Sequence, residues 1–292
     1  MSLRLQMLQV ARRGALSLGE SLPAVRDFAR SRISPGGAGV DRDNRPDLYY
    51  TIFAIALLQS LDEPVPLTLI RDELRSHGVG DSLDFIHLGA LARCWSAVGD
   101  YPAEISCGIL KNIECYRTRN GGYDGERGAA VGTAYGGFVA LGSYQDLRVP
   151  LPDPLRLVQS LKYLETKDGG WGNTPGLKAG STNPTAAAVT LLHQLEMPVN
   201  EQAGRWLLEQ MHPAGGFLAM PMAPIPDLLS TATALHALAC LNVELSSRTK
   251  EQCLDFLDSL WTGAGGFHGH WADDHLDAEY TFYGLLALGH LV

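Results

Sequence analysis

The chain has 292 residues, of which 46% are apolar, and a formal net charge of −9. This profile is typical of a globular protein with a sizeable core, and the length permits one large domain or two ordinary ones. The acidic balance excludes general nucleic-acid binding, which requires a concentrated basic surface.

The N-terminal segment has the pattern of an amphipathic helix. Leu3, Met7 and Val10 fall at helical spacing, with Arg4 between them and Arg12 and Arg13 just after them. No apolar run long enough for a secretory signal or a membrane span follows. We therefore predict an N-terminal helix within residues 1–22, with a membrane-surface or targeting role as the alternative.

Internal repetition is the strongest signal along the rest of the chain. Six apolar segments begin at Tyr49, Phe85, Thr133, Asn183, Ser230 and Glu279. Aligned on Thr51, His87, Ala134, Thr185, Thr231 and Thr281, they are separated by 36, 47, 51, 46 and 50 residues. Such a period suits two helices and two turns per unit.

The apolar segments alternate with amphipathic ones. The latter are Leu67–Ser76, Pro102–Arg117, Asp153–Lys167, Glu201–Met211 and Arg248–Trp261. A helix that is apolar all round is buried, whereas one with a stripe has a face in water. The alternation predicts an inner ring of helices wrapped by an outer ring. The expected fold is all-α, an (α/α)6 toroid of six helical hairpins forming a single domain over residues 23–292.

The turns after the amphipathic segments share a glycine pair followed by an aromatic residue. The copies are Gly121-Gly122-Tyr123, Gly169-Gly170-Trp171, Gly215-Gly216-Phe217 and Gly265-Gly266-Phe267, with a weaker one at Gly36-Gly37-Ala38-Gly39-Val40. Glycine ends a helix because it adopts positive φ without steric cost. The aromatic ring is expected to cover the end of each hairpin.

These repeats resemble those of protein prenyltransferase β-subunits and the QW repeats of squalene and terpene cyclases. The resemblance rests on Glu165 to Gly172, which is similar to a QW motif, and on Gly265 to Gly284, which is similar to a closing β-subunit repeat. It covers nearly the whole chain. It implies a toroid whose cavity holds an isoprenoid chain. The β-subunits work with a helical α-subunit, and the sequence leaves open whether this chain has such a partner.

The functional residues of those families are mostly replaced here. The zinc ligands of the β-subunits fall on Asp227, Leu229 and Tyr280, and leucine cannot bind a metal. The resemblance therefore implies that the zinc site is lost, and we predict neither a metal nor another cofactor. The diphosphate-binding positions fall on Ala130, Pro221, Pro224 and Ser230, which carry no positive charge. In the Asp-x-Asp-Asp motif of class II cyclases, the proton-donor position is Leu229.

Four polar residues near the starts of inner helices are the candidate catalytic groups. Asp47, Asp227 and Asp277 each precede the repeated threonine by four residues, and His87 lies in the shared column. Aspartate at this place is a preferred N-cap, which by itself explains the pattern. The alternative is that these carboxylates face the cavity, where shielding from water would raise a pKa enough for acid catalysis.

Aromatic residues of the inner helices are the candidate lining of the cavity. The predicted substrate-binding set is Tyr49, Tyr50, Tyr135, Tyr280 and Tyr283. Aromatic faces stabilise cations and could manage an isoprenoid carbocation. The plain alternative is that they pack the core.

Two loops and the cysteines complete the set of candidates. Residues 268–277 hold six histidines and aspartates, which suggests metal ligands or, more simply, a solvated loop. Residues 221–226 are proline-rich and form either a lid or an inert connection.

The five cysteines, an odd number with no C-x-x-C pair, predict free buried thiols in a reducing compartment, the cytoplasm.

The function expected from this reading is that of a divergent prenyl transferase or terpene cyclase, which binds an isoprenoid or other apolar chain in the central cavity. The alternative is a non-catalytic toroid that binds a lipid or a partner protein.

Overall fold

The computed structural model describes all 292 residues and contains thirteen α-helices. The predicted toroid is confirmed. Its outer helices are α2 (Leu22–Ser31), α4 (Leu67–Ser76), α6 (Ala103–Glu114), α8 (Pro154–Lys162), α10 (Gln202–Glu209) and α12 (Ser247–Leu260). Its inner helices are α3 (Leu48–Ser60), α5 (Phe85–Val98), α7 (Ala134–Asp146), α9 (Thr182–Gln194), α11 (Leu228–Cys240) and α13 (Ala278–Leu291). The first helix, α1, spans Leu3–Leu16, and a 3-10 turn follows at Gly19–Ser21.

The inner helices form a closed ring. Each one packs on the next, and α13 packs on α3. They run in the same direction: Tyr49 and Glu279 meet near the N-terminal ends, whereas Gln145 and Gln194 meet at the C-terminal ends. The inner helices can be apolar on nearly every side because one side faces the outer helices, two face their neighbours, and one faces the bore.

In four repeats the shared threonine joins the glycine-rich turn to its inner helix. The Thr231 hydroxyl donates to the backbone carbonyl of Asp227 and accepts from the backbone N–H of Phe217. Thr281 makes the same pair of bonds, and Thr51 does so with Asp47 and Gly39, where a short antiparallel pair forms between β1 (Gly39–Val40) and β2 (Pro46–Asp47). These bonds explain why Thr, Asp and the glycine-rich turn recur together.

The structure corrects the alignment of the second and third repeats. The N-cap of α5 is Asp84, so His87 is three residues beyond a cap instead of four. The N-cap of α7 is Thr133, which places Ala134 directly after the cap. In both helices a residue other than threonine takes the fourth position, and the sequence pattern had no marker there.

Helix α1 crosses the bore at the C-terminal ends of the inner helices. Its first residue, Leu3, donates its backbone N–H to Gln145 on α7 at 2.9 Å. At its other end Gly14 lies against Leu285 and Gly289 on α13, on the opposite side of the ring. Leu3, Met7 and Val10 are all buried, so the predicted amphipathic face is covered within the fold. Helix α1 therefore closes one end of the toroid.

The glycine-rich turns bury their aromatic residues in the core. Tyr123, Trp171, Phe217 and Phe267 are at most 3% exposed.

The five cysteines are all free. Cys94, Cys240 and Cys253 are buried, whereas Cys107 and Cys115 are exposed, contrary to the expectation that all would be buried. None of the thirteen helices combines the length and the apolar character that a bilayer span requires.

A buried histidine pair joins α11 to α13 near the closed end. His236 Nδ1 lies 3.1 Å from His290 Nε2, and His236 Nε2 has no hydrogen-bond partner. Burial lowers the pKa of His236 to about 4 and that of His290 to about 3. Both imidazoles are therefore neutral in the folded protein at neutral pH.

This pair makes stability depend on pH. The unfolded chain takes up protons near the ordinary histidine pKa of 6.5 while the folded chain does not, so stability falls as pH drops from about 6.5 towards 4. For His236 the loss at pH 5 is about 2 kcal/mol. Urea unfolding of the wild type and of His236→Gln at pH 7 and pH 5 measures it. The variant should lose less stability over this interval; equal losses would contradict the assignment.

Candidate functional site

The bore contains a cavity divided into two chambers by a shared partition. The partition consists of Met7 from α1 and the aromatic side chains of Tyr49, Tyr135, Phe138 and Tyr283. The larger chamber has a volume of about 290 Å³ and the smaller about 80 Å³. We call the larger one the acidic chamber, because Glu279 lines it, and the smaller one the basic chamber, because Arg4 and Arg93 line it. Together they give the toroid a hollow and mostly apolar centre, which is typical of a ligand site.

Aromatic rings of α3 and α13 form one wall of this cavity. Phe53 lies 5.2 Å from Tyr49, 6.0 Å from Phe282 and 5.7 Å from Tyr283, measured between ring centroids. Tyr135 on α7 faces the same space, and its side chain is exposed to it. Such a wall can lie along an apolar chain and can stabilise a positive charge on that chain.

Glu279 is the one carboxyl group lining the acidic chamber. It lies in the first turn of α13, and its Oε1 accepts a hydrogen bond of 2.6 Å from the Tyr49 hydroxyl. Burial raises the pKa of Glu279 to about 7, and the nearby Asp277 carboxylate adds to this, although the hydrogen bond from Tyr49 opposes it. At neutral pH about half of the molecules therefore carry a protonated acid in an apolar cavity.

The basic chamber ends in three charged side chains at the floor formed by α1. Arg4 Nε lies 3.3 Å from Asp146 Oδ1, and Arg93 Nε lies 3.3 Å from Asp146 Oδ2. Arg4 comes from α1, Arg93 from α5 and Asp146 from the last position of α7. No other charged residue lines this chamber.

The three predicted aspartates are N-caps, which is the structural role that the sequence pattern indicates for them. Asp47 accepts from the backbone N–H of Tyr50, Asp227 from that of Ser230, and Asp277 from that of Tyr280. None of the three lines either chamber. Their catalytic role stays a prediction, with the carboxyls at the N-terminal ends of the inner helices.

Asp227 and His87 differ in the groups that surround their side chains. Burial raises the pKa of Asp227, whose second oxygen accepts from the Ser230 hydroxyl. His87 is brought near Asp47, with Nε2 3.9 Å from Asp47 Oδ2, but its Nδ1 is 2.9 Å from Asp84 Oδ1. It also lies outside both chambers.

The predicted tyrosines divide into two groups. Tyr49, Tyr135 and Tyr283 line the cavity. Tyr50 and Tyr280 do not; the guanidinium of Arg42 lies 5.1 Å from the centroid of the Tyr280 ring. The aromatic cavity is therefore built by the first group, together with Phe53 and Phe138, which the sequence reading did not select.

Arg42 neutralises the carboxyl of Asp277. Its Nε donates to Asp277 Oδ2 at 2.7 Å, and its Nη2 lies 3.3 Å from Asp273 Oδ2. Asp277 is fully buried, and burial raises the pKa of this carboxyl despite the arginine. Arg42 therefore opposes the effect of burial on the pKa of this N-cap carboxyl.

Removing Arg42 should destabilise the protein. We expect Arg42→Ala to lower the free energy of unfolding by about 2 kcal/mol, because a buried carboxylate loses its charged donor. Arg45→Ala is the matched control, since the Arg45 side chain is 74% exposed and pairs only with the exposed Asp43. Urea unfolding measures both variants, and equal midpoints for the two would contradict the role given to Arg42.

The two candidate loops contribute nothing to the cavity wall. None of the residues 221–226 lines either chamber, so the lid proposed for them has no support in this geometry. In residues 268–277, His268 Nδ1 donates to the carbonyl of His275, and His270 Nδ1 accepts from the backbone of Ala272. No three His, Cys, Asp or Glu side chains converge on a point there or elsewhere.

The zinc positions of the resembling family do not form a donor set. Both Asp227 oxygens accept hydrogen bonds from Ser230, and Leu229 lines the acidic chamber with an apolar side chain. Zinc requires several nitrogen, sulfur or carboxylate ligands. These three positions therefore do not fit the metal.

Sequence reasoning missed Glu279 and the pair of arginines. Glu279 is two residues after the Asp277 cap, where the helical turn directs its side chain into the bore. A signal for it was available, since an acidic residue inside an otherwise apolar helix must be solvated, paired or neutral. The sequence could not show that Arg4 and Arg93 are neighbours in space, because they lie on helices far apart in the chain.

Comparisons with known proteins agree with this architecture. The family model of the prenyltransferase alpha-alpha toroid domain matches residues 136–211 and 185–291. No curated protein matches the sequence.

Solved structures share the fold at low sequence identity. A variant of the type II terpene cyclase MstE from Scytonema, in complex with geranylgeranyl dihydroxybenzoate, has a TM-score of 0.66 and 14% identity over 95% of this chain and 97% of its own. A protein from Actinoplanes has a TM-score of 0.61 and 15% identity over 94% of this chain and 98% of its own. Candida albicans protein geranylgeranyltransferase-I, in complex with GGPP, has a TM-score of 0.51 and 14% identity over 97% of this chain and 83% of its own.

At these identities the solved structures establish the fold alone. The family match covers more than half of the chain, along repeats that the structure shows closing into a ring. The chain belongs to the prenyltransferase alpha-alpha toroid family.

Proposed function

We propose that this protein is a terpene-cyclase-like enzyme that binds an isoprenoid chain in its central cavity and starts cyclisation with a proton from Glu279. The observation that carries the proposal is a carboxyl group with a pKa of about 7 in a chamber whose walls are otherwise neutral and mostly apolar. The structural neighbours named above, whose complexes contain geranylgeranyl compounds, support an isoprenoid as the ligand.

The proposed step needs no co-reactant. The Glu279 carboxyl delivers its proton to one carbon of an alkene, and the π electrons form the new C–H bond. The next alkene of the chain attacks the resulting cation and closes a ring. Loss of a proton from the last cation to the Glu279 carboxylate, directly or through water, restores the acid. The overall reaction is an isomerisation.

The aromatic wall would stabilise the intermediate cations. Tyr49, Tyr135 and Tyr283 lie in the partition between the chambers, and Phe53 lies behind them. Burial raises the pKa of each of these three tyrosines, so the rings stay neutral and offer their π faces instead of a phenolate nucleophile.

Transfer from a prenyl diphosphate is less well supported by the charges. A leaving diphosphate must be neutralised by cations or a metal. The cationic side chains lining the cavity are Arg4 and Arg93, and Asp146 offsets one of their two positive charges, so too little charge remains for a diphosphate. Arg42, near the N-terminal ends, is already paired with Asp273 and Asp277.

The test is product formation from defined probes. Purified protein is incubated with geranylgeraniol, geranylgeranyl diphosphate and squalene, and the extracts are analysed by gas chromatography and mass spectrometry. A cyclic isomer with the mass of the supplied compound supports the proposal. Release of diphosphate would point to transferase-type ionisation. Tight binding of a probe without any product would favour the non-catalytic toroid.

The pH dependence of turnover provides a second check. Because only protonated Glu279 is active, kcat/KM should be constant below about pH 7 and fall tenfold per pH unit above it. Tyr49→Phe should move this fall to higher pH, since the hydrogen bond from Tyr49 lowers the pKa of Glu279. A profile that rises with pH, or one that Tyr49→Phe does not move, would contradict the acid role.

A further inference from the structure

The floor of the basic chamber carries more positive than negative charge. Arg4 and Arg93 each contribute +1 and Asp146 contributes −1, so the cluster has a net charge of +1. The side chains of Arg4, Arg93 and Asp146 are 17%, 21% and 2% exposed. A charge held in such a confined place is costly unless a counter-charge accompanies it.

The two guanidinium groups retain donors for a ligand. Each uses its Nε for Asp146, and Arg4 Nη2 makes one further contact, 3.4 Å to the Ser96 hydroxyl. The terminal nitrogens of Arg93 make no hydrogen bond within the protein. Since a guanidinium presents five N–H groups in a planar fork, this leaves a bidentate edge for an oxyanion.

The size of the unbalanced charge selects the kind of anion. A carboxylate carries one negative charge and would bring the cluster to neutrality. A diphosphate carries two to three and would leave an excess of negative charge beside Asp146. The volume of about 80 Å³ also suits a compact head group.

We propose that the natural ligand is an isoprenoid with a carboxylate head, and that Arg4 and Arg93 bind this head at the floor formed by α1. The proposal rests on the proposed function, because it takes the acidic chamber as the place of the reacting end. The chain then extends from the floor past Met7, Tyr49 and Tyr283, and its far alkene reaches Glu279. Helix α1 thereby supplies a binding residue as well as closing the bore.

Binding of matched probes tests the head site. Farnesoic and geranylgeranoic acids are compared with farnesol, geranylgeraniol and the two corresponding diphosphates by isothermal titration calorimetry at pH 7.5. We expect each acid to bind at least tenfold more tightly than the alcohol of the same length. Arg93→Gln should abolish that advantage without changing the affinity for the alcohol. Arg12→Gln, an exposed arginine of the same α1 helix, should leave it intact.

A second variant keeps the test decisive if Arg93→Gln does not fold. Asp146→Asn raises the net charge of the cluster to +2, so it should strengthen binding of the acids and also of the diphosphates relative to the alcohols. The proposal is overturned if acid and alcohol bind equally well in the wild type, if Arg93→Gln keeps the preference, or if Asp146→Asn does not increase it.

The outcomes separate this proposal from the proposed function. If turnover depends on Glu279 while acids show no preference, the head site is wrong and the cyclase assignment stands. If neither acids nor alcohols bind, the chain-binding cavity itself fails and both proposals fall. Glu279→Gln should lose turnover yet keep the preference for acids, because Glu279 is not among the residues lining the basic chamber.

Discussion

Replacement of Glu279 by glutamine is expected to reduce turnover at least about 1,000-fold at pH 7. Glutamine has nearly the same shape and can still accept the hydrogen bond from Tyr49, but it cannot deliver a proton to an alkene. No other acidic side chain lines the acidic chamber, so no neighbouring group can take over. Binding of the chain should be preserved, because a neutral amide replaces a carboxyl that is itself about half neutral. The measurement is the initial rate of product formation with whichever probe the wild type converts.

The matched control for this variant is Glu251→Gln. Glu251 is exposed on the outer helix α12, so the variant should form product at the same initial rate as the wild type. Asp277→Asn provides a comparison with the sequence-based candidate. If Glu279→Gln retains full activity while Asp277→Asn loses it, the proton donor is the N-cap Asp277 and not Glu279.

Gly14→Ala is expected to lower the free energy of unfolding by about 3 kcal/mol. A Cβ on Gly14 would overlap the backbone carbonyl oxygen of Leu285, and one on Gly289 would overlap that of Val10. Because both obstacles are backbone atoms of packed helices, no change of side-chain rotamer relieves the overlap. Helix α1 must therefore move away from α13, with loss of the packing of Leu3, Met7 and Val10.

Urea unfolding and amide hydrogen exchange measure this effect. In Gly14→Ala the amides of α1 should exchange faster than in the wild type, while those of α5 and α9 keep most of their protection. Gly263→Ala is the control, because a Cβ there meets no atom within 4 Å. Unchanged exchange of α1 in Gly14→Ala would show that this helix does not depend on the close crossing.

The ring could be predicted because its cause is local. Each inner helix is apolar around most of its circumference, and four of the six turns carry a glycine pair followed by an aromatic residue, so the same evidence recurs along the chain. The predicted alignment of the second and third repeats was wrong because these repeats lack the shared threonine. Leu88 and Gly137 occupy the position that threonine occupies in the other four. Hydrogen bonding by that threonine, and not hydrophobicity, defines the alignment.

The site was less predictable because it depends on which side of a helix faces the bore. Asp277 and Glu279 are two residues apart, and the repeat pattern pointed to the first as the cap; only the fold shows that the second faces the cavity. The position of α1 was hidden for another reason. Its apolar stripe predicts that it packs on something, but nothing in its own sequence indicates the bore of a ring formed by residues far along the chain.

Binding of an isoprenoid chain in the bore is tested most directly by a crystal structure of Glu279→Gln with geranylgeraniol or geranylgeranoic acid bound. We expect one extended chain in the bore, with its far alkene beside residue 279 and, for the acid, its carboxylate against Arg93. An empty bore with the chain bound on the outer helices, or a chain that enters with its head group beside residue 279, would contradict it.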